Sequence, residues 1–232
     1  MPRRHGKRYR ADAGKIPEKQ TVPLEEAIQR VKAFKAVKFD QSIEIAINLG
    51  IDPRQADQAI RGAVSLPHGI GKTKRVIAFC GHDLVKPAKE AGAEDAGGEE
   101  LVAKIEGGWL EFDVAIASPD MMRVVARLGR SLGPKGLMPS PKSGTVTPNV
   151  IDAVKEYRAG KVEFRNDSGG NIHAVVGKQS FDAQSLAQNA QAFIANIERM
   201  KPASAKGTFI QQIALSGTMT PGVLVELATK PA

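Results

Sequence analysis

Two kinds of strand-like segment divide this chain into three parts. Near the N-terminus, SIEIAINLGI places Ile43, Ile45, Ile47 and Leu49 at every second position, which is the pattern of a strand with one buried face. In the middle, RVIAFC and FDVAIAS are almost continuously apolar and alternate with helix-like segments, as in a parallel sheet covered on both faces. The half-buried pattern then returns in KVEFRND and NIHAVVGK. The sequence therefore predicts that one domain interrupts another.

The charges separate along the same lines. The chain has 33 Lys and Arg residues and 25 Asp and Glu residues, a net charge of +8. Between Pro67 and Tyr157, twelve basic residues are balanced by twelve acidic residues, so the whole excess lies in the flanking segments. A basic excess of this kind favours a polyanionic partner, such as a nucleic acid, for the flanking segments.

These patterns predict a fold of mixed α/β and α+β class with two domains. Residues 1–66 and 158–232 are expected to form a discontinuous α+β domain, in which helices cover one face of an antiparallel sheet built from both termini. Residues 67–157 are expected to form an inserted three-layer α/β domain with a parallel sheet. Glycines near each junction predict hinges at residues 66–72 and 155–160.

Each domain has its own predicted elements. In the flanks we expect a helix opened by Pro23, the strand SIEIAINLGI, a short helix PRQADQAIRG ended by Gly62, and a long helix from Asp182 to Met200. Ser168-Gly169-Gly170 is expected to join KVEFRND and NIHAVVGK as a hairpin, and TFIQQIALSG and GVLVEL are expected to be the last strands. In the inserted domain we expect helices in HDLVKPAKEAG, EELVAKIEG, PDMMRVVARLGR and NVIDAVKEYRAG, and a short strand near Ala93.

Few residues suggest enzyme chemistry. The single cysteine, Cys80, excludes an intramolecular disulfide and a multi-thiolate metal site, and it suits a reducing compartment. The four histidines are not spaced as a metal pair on one helix face, so no metal is expected. No glycine triplet of the dinucleotide type follows RVIAFC, so no cofactor is expected. No apolar run approaches the roughly 20 residues of a membrane span, and the N-terminus lacks the apolar core of a secretory signal. We expect a cytoplasmic protein with no membrane and no small-molecule substrate.

The segment from Gly69 to Thr73 carries the alternative of a nucleotide-hydrolysing enzyme. Gly71-Lys72-Thr73 matches the end of a phosphate-binding P-loop, whose first glycine should stand where this chain has Leu66. Such a loop should also lead into a helix whose N-terminus faces the phosphates, whereas Arg75 to Cys80 has the composition of a strand. The segment is better interpreted as a glycine-rich connector into the inserted domain.

Two basic segments are further candidates for contact with nucleic acid. The loop from Arg127 to Asn149 is rich in glycine and proline, contains no acidic residue and carries Arg127, Arg130, Lys135 and Lys142. The first ten residues carry five cations and no anion, which fits either an arm lying on phosphate or a solubilising tail.

Four longer motifs carry a resemblance to a known family. In chain order they are KFDQSIEIAINLGIDPRQADQAIRG, GRSLGPKGLMPSPKSGTVT, GKVEFRNDSGGNIHAVVGK and LSGTMTPGV, and together they resemble bacterial ribosomal protein L1, a large-subunit protein of the mobile stalk. The resemblance implies a discontinuous RNA-binding domain with an inserted domain that swings on a two-stranded hinge. It also implies binding to the stalk region of large-subunit rRNA, a part in releasing exit-site tRNA, and often repression through the leader of its own mRNA.

The resemblance further implies a set of RNA-facing residues. Lys38, Phe39, Glu44 and Arg54 match the family pattern in the first motif, and Ser42 stands where threonine is usual. In the third motif Arg165, Asp167 and His173 match, whereas Ser168 replaces a common lysine. Ser216, Thr218 and Met219 match the closing motif, and Thr220 stands where glycine is usual. The resemblance implies no catalytic residue and no cofactor.

Overall fold

The computed structural model describes residues 5–16, 20–35, 37–55 and 57–227. The chain divides into two compact units. Unit 1 comprises residues 1–60, 66–71 and 164–232, and unit 2 comprises residues 61–65 and 72–163. Within these bounds unit 2 contains fifteen basic and thirteen acidic residues, so most of the net charge of +8 belongs to unit 1.

Unit 1 is built on a five-stranded sheet with strand order β1-β10-β9-β2-β8. Its strands are β1 (Thr21–Val22), β2 (Ser42–Leu49), β8 (Asn171–Lys178), β9 (Ile210–Gly217) and β10 (Val223–Val225). Its helices are α1 (Lys7–Ala13), α2 (Leu24–Ala33) and α8 (Ala183–Arg199). The neighbouring strands are antiparallel except β1, which runs parallel to β10, so the sheet is mixed rather than purely antiparallel.

The spacing of apolar residues along the strands determines which face of this sheet packs against the helices. In β2 the buried residues are Ile43, Ile45, Ile47 and Leu49, as the alternation predicts. Helices α2 and α8 contact each other and the sheet. Each helix buries an apolar stripe at helical spacing, for example Leu186, Ala190, Phe193 and Ile197 of α8. On the opposite face the alternate residues Ser42, Glu44, Ala46 and Asn48 are only partly buried.

Unit 2 is a three-layer α/β fold. Its parallel sheet has the order β5-β4-β6, formed by β4 (Val76–Phe79), β5 (Asp95–Gly97) and β6 (Val114–Ala117). Its helices are α3 (His82–Glu90), α4 (Glu99–Glu106), α5 (Met122–Val125), α6 (Gly129–Leu132) and α7 (Val150–Ala159). Val76 and Ala78 pack towards α3 and α7, whereas Ile77 and Phe79 pack towards α4, α5 and α6.

Strands β3 (Arg61–Val64) and β7 (Val162–Arg165) form a separate two-stranded sheet. The backbone passes between the units within this part of the chain. The division point therefore lies near residue 164 rather than 158, because the end of α7 belongs to unit 2, where Tyr157 is fully buried in the core. Residues 66–71 belong to unit 1, because Asn189 of α8 bonds to their backbone at His68 and Gly69.

The expected fold class is confirmed, as are most of the elements, but three local predictions are wrong. The described residues 53–55 and 57–62 are not helical: turns follow Asp52, whose carboxylate accepts from the N–H of Arg54, and Gly62 lies in β3. PDMMRVVARLGR is not one helix but short α-helical pieces interrupted by 3-10 turns at Pro119–Met121 and Ala126–Leu128.

The third correction concerns the predicted hairpin. The turn at Ser168-Gly169-Gly170 does reverse the chain, because the N–H of Asp167 donates to the carbonyl oxygen of Asn171 at 2.8 Å. However, β7 pairs with β3 and β8 pairs with β2, and only the bridge between Asn166 and Ile172 joins the two arms. The two strands therefore belong to different sheets.

Among the described residues, no helix combines the length and the apolar composition that a membrane span requires.

Candidate nucleic-acid interface

The uncovered face of the unit 1 sheet carries several of the expected RNA-facing residues. Ser42 and Glu44 alternate along β2 with the buried isoleucines, so they point to the face opposite the helices. Glu44 lies opposite Ser216 of β9 and Val175 of β8. One pleat further on, Ala46 lies opposite His173, whose side chain is exposed. Glu44, Ser216 and His173 therefore share one polar surface.

A tightly bonded turn follows β9 at the edge of this face. We call residues 217–220 the Met219 turn. Thr218 is paired with Ser42: its N–H donates to the Ser42 carbonyl oxygen, and its Oγ1 accepts from the Ser42 N–H, both at 3.1 Å. Thr220 closes the turn, because its Oγ1 accepts from the N–H of Gly217 at 2.7 Å. The hydroxyl of Thr220 thus stabilises the turn.

Two polar residues that the sequence analysis did not single out position this region. The buried side chain of Gln41 accepts a hydrogen bond from the N–H of Met219 at 2.9 Å and donates to Gln179 at 3.0 Å. Asp40 accepts from both the N–H and the hydroxyl of Ser180, at 3.1 and 2.8 Å. No sequence signal marks Gln41, because its burial and its bond to Met219, 178 positions away, arise only in the folded unit.

Two large apolar side chains are exposed beside these bonds. Phe39 is 50% exposed and Met219 is 52% exposed, and no other large hydrophobic residue in the described part of the chain is classed as exposed. Phe39 precedes Asp40, and Met219 is held by Gln41, so both lie at the start of β2. Lys38 is also exposed. The arrangement combines apolar surface, fixed hydroxyls and a cation.

The remaining expected residues lie around a second turn, which we call the Asp167 turn (residues 167–171). The Asp167 carboxylate accepts from the N–H groups of Gly169 and Asn171, both at 2.8 Å. The Asn171 N–H is the main reason that the pKa of Asp167 lies below its usual value. Asp167 therefore orders the turn that presents the exposed Ser168.

The two turns lie at opposite ends of β2. Ser42 at its start is bonded to Thr218, whereas Leu49 at its end donates its N–H to the Gly170 carbonyl oxygen at 3.0 Å. Seven residue steps of about 3.3 Å each along the strand put Ser42 and Leu49 roughly 23 Å apart. Arg54 is exposed after the end of β2, and Arg165 is the exposed last residue of β7, so both belong with the Asp167 turn. Ser42 itself accepts a bond from Lys178 at 3.0 Å.

Two aspartates of unit 2, Asp95 and Asp113, are engaged in ion pairs. Asp113 lies 3.5 Å from Arg75 and accepts from the Arg75 N–H, which is the largest cause of its lowered pKa. Asp95 is paired with Lys89 and Lys104 at 3.1 and 2.8 Å. No cluster of His, Cys, Asp or Glu that could hold a metal ion occurs among the described residues.

The Gly69–Thr73 segment does not form a phosphate loop. Within residues 57–227, all of which are described, it leads into strand β4 and not into a helix. A phosphate loop requires the helix, because helical N–H groups at its N-terminus bind the phosphates.

An exposed basic face occurs elsewhere on unit 2. Arg123, Arg127 and Arg130 are exposed on the short helical pieces between residues 122 and 132, whereas Val125, Leu128 and Leu132 of the same pieces are buried. Lys135 and Lys142 are exposed in the loop that follows. None of these five cations lies within ion-pair distance of a described acidic residue.

Comparison with known proteins identifies the family. Residues 31–221 match the model of the ribosomal protein L1p/L10e family. The chain belongs to this family. It is similar to the large ribosomal subunit protein uL1 of Chlorobium chlorochromatii, with 51% identity over 96% of this chain and 97% of the relative. It is equally similar to uL1 of Chlorobaculum tepidum, with 50% identity over 95% and 96% of the two chains.

The family assignment confirms the resemblance seen in the four motifs and the expectation that the chain is not an enzyme. The relatives are named as proteins of the large ribosomal subunit, and the match extends through both units. The alternative of a nucleotide-hydrolysing enzyme therefore has support neither from the relatives nor from the geometry of the Gly69–Thr73 segment.

Proposed function

We propose that this chain is a structural constituent of the large ribosomal subunit and that unit 1 binds the stalk region of large-subunit rRNA. The observation that carries the proposal is the clustering of Phe39, Met219 and the Ser42–Thr218 pair at the start of β2. Folded RNA is recognised by shape, by 2′-hydroxyl contacts and by stacking, and an exposed aromatic ring beside fixed hydroxyls fits those contacts. The cytoplasm, on the ribosome, is the expected place of action.

Within this proposal the residues have different roles. Phe39 and Met219 supply apolar contact, whereas Glu44 and Ser216 are placed to bond to ribose hydroxyls or base edges. Lys38, Arg54 and Arg165 are exposed cations suited to phosphate. Ser168 and His173 present polar groups at and near the Asp167 turn. Asp167 and Thr220 support the binding surface through backbone bonds.

Binding of the purified protein to a transcript of the rRNA stalk tests the proposal. We expect Met219→Ala to weaken binding by about 1 to 3 kcal/mol without changing its salt dependence, because the side chain carries no charge. Gln191→Ala is the matched control, since Gln191 is an exposed residue of similar size on α8, on the covered side of the sheet. If the two variants bind the transcript equally well, the proposed surface is wrong.

A second proposal concerns exit-site tRNA. The exposed basic face of unit 2, formed by Arg123, Arg127 and Arg130 with Lys135 and Lys142, suits the phosphate backbone of a tRNA. The double variant Arg127→Ala/Arg130→Ala should slow release of deacylated tRNA from ribosomes that carry it, while stalk binding stays unchanged. The variant Lys86→Ala/Lys89→Ala, which removes the same charge from α3, is the control. Equal release rates for both variants would contradict this proposal.

The leader of the chain's own mRNA is a further proposed partner. Repression requires that the leader binds the same surface as the rRNA stalk, so that the two RNAs compete. We therefore expect stalk transcript to displace a labelled leader transcript, and Met219→Ala to weaken both complexes by a similar factor. A leader that binds normally to Met219→Ala would contradict a shared surface.

A further inference from the structure

Helix α1 is held against the Met219 turn by a contact between distant parts of the sequence. The guanidinium of Arg8 donates from Nη2 to the carbonyl oxygen of Met219 at 3.1 Å. A helix of seven residues is too short to be stable in water by itself, because its nucleation cost exceeds what so few hydrogen bonds return. The order of α1 therefore depends on tertiary contacts, and the bond from Arg8 is one of them.

Local contacts define the first turn of α1 and pair its acidic residue, Asp12, with a lysine of the same segment. The rings of His5 and Tyr9 stack with centroids 4.1 Å apart, and the N–H of Arg10 donates to the Gly6 carbonyl oxygen at 3.1 Å. Asp12 is buried and bonded to Lys15 at 3.0 Å. Asp12 is thus neutralised within its own segment and is not available to the other cations of α1.

Three cations of α1 are therefore not neutralised by an acidic side chain of the described residues. Lys7, Arg8 and Arg10 have no acidic group within ion-pair distance among residues 5–16, 20–35, 37–55 and 57–227. The bond from Arg8 to a backbone carbonyl leaves its positive charge in place. Lys7 and Arg10 are exposed and lie three positions apart, so they share one side of the helix.

The neighbouring Met219 turn offers no charge of its own. Its side chains are hydroxyls and a thioether, so it can contact RNA surface but cannot neutralise phosphate. We propose that α1 is a phosphate-binding element of the RNA interface, docked by Arg8 beside the uncharged Met219 turn. This inference rests on the proposed function of unit 1. A merely solubilising helix would need no docking bond at the binding surface.

The salt dependence of binding to the stalk transcript tests this proposal. Each phosphate neutralised contributes roughly 0.7 to 0.9 to the slope of log affinity against log salt. If Lys7 and Arg10 each neutralise one phosphate, Lys7→Ala/Arg10→Ala should reduce the magnitude of the slope by about 1.4 to 1.8. The control is Arg199→Ala/Lys201→Ala, which removes the same charge from the exposed end of α8 and should leave the slope unchanged.

The outcomes separate this inference from the proposed function. If the wild-type protein binds the transcript but the slope of Lys7→Ala/Arg10→Ala equals that of the control, α1 is not a phosphate-binding element and the function of unit 1 stands. If the wild-type protein does not bind the transcript, both proposals fail.

A separate measurement tests the docking role of Arg8. In the protein without RNA, Arg8→Ala should accelerate hydrogen exchange of the α1 amides, because the helix loses its bond to Met219. Lys7→Ala, which removes a cation without a tertiary bond among the described contacts, should leave that exchange unchanged. Equal exchange in the two variants would overturn the role assigned to Arg8.

Discussion

The side-chain amide of Asn189 donates a hydrogen bond to the carbonyl oxygen of Gly69 at 2.9 Å. The same fully buried side chain donates to the Val176 carbonyl oxygen at 2.8 Å and accepts from the His68 N–H at 3.0 Å. One polar residue of α8 thereby bonds both to strand β8 and to the connector at residues 66–71. The connector is thus part of the structure of unit 1.

Asn189→Ala should lower the free energy of unfolding of unit 1 by about 1 to 3 kcal/mol, because buried backbone groups lose their partners. Urea unfolding followed by circular dichroism measures the change. Gln191→Ala, at an exposed position of the same helix, should change the free energy by less than about 0.5 kcal/mol. Similar losses in both variants would mean that the Asn189 bonds contribute little.

Gly71 should be far less tolerant of alanine than Gly136. The two glycines have nearly the same left-handed backbone, with φ of 72° and 71°. A Cβ on Gly71 would lie 2.8 Å from Cε1 of Phe181, whereas a Cβ on Gly136 would meet nothing within 4 Å. We expect Gly71→Ala to cost about 1 to 3 kcal/mol more than Gly136→Ala, since only Gly71 adds a steric conflict to the backbone strain. The difference is measured from the urea transitions of the two units, and equal costs would show that Phe181 moves away freely.

Glu163 should make the stability of unit 2 fall as the pH rises through the acidic range. Burial is the largest cause that raises the pKa of Glu163 above its ordinary value of 4.5, and Lys74 and Arg61 oppose the shift. Between 4.5 and the raised pKa, the folded state holds the proton and the unfolded state has released it. The folded state therefore binds more protons in this window, and stability decreases with increasing pH.

Glu163→Gln removes this titration. Relative to Glu163→Gln, the wild-type protein should gain stability as the pH falls through the raised pKa and should gain no more below about 4.5. Unfolding free energies measured at several pH values for both proteins give the difference directly. A difference that is independent of pH would show that Glu163 titrates normally in the folded state.

The hydroxyl of Thr218, rather than its methyl group, should matter for RNA binding. Its Oγ1 accepts from the N–H of Ser42, so Thr218→Ala removes a bond that fixes the Met219 turn to β2. Thr218→Ser keeps the hydroxyl and should bind the stalk transcript within about threefold of wild type, whereas Thr218→Ala should lose about 1 to 3 kcal/mol. If serine and alanine weaken binding equally, the methyl group is the contact.

The periodic segments of this protein could be predicted from its sequence, because their pattern is local. The alternation of Ile43, Ile45 and Ile47 predicts a strand with one covered face, and the continuous apolar runs around Val76 and Val114 predict a parallel sheet. The family motifs indicated the residues of the candidate site. The short helix predicted in PRQADQAIRG is wrong, because the side chains of Asp52 and Gln58 bond to the backbone and replace helical hydrogen bonds.

The sequence by itself determined the two kinds of sheet, the position of the excess charge and the family. Tertiary structure alone decided that β7 pairs with β3 instead of β8, that Gln41 holds Met219, and that Arg8 reaches the Met219 turn. Arg8 and Met219 are separated by 211 positions, and Gln41 and Met219 by 178. The physical reason is that periodicity records only which face of a segment is buried, whereas partners distant in sequence are chosen by the packing of the whole unit.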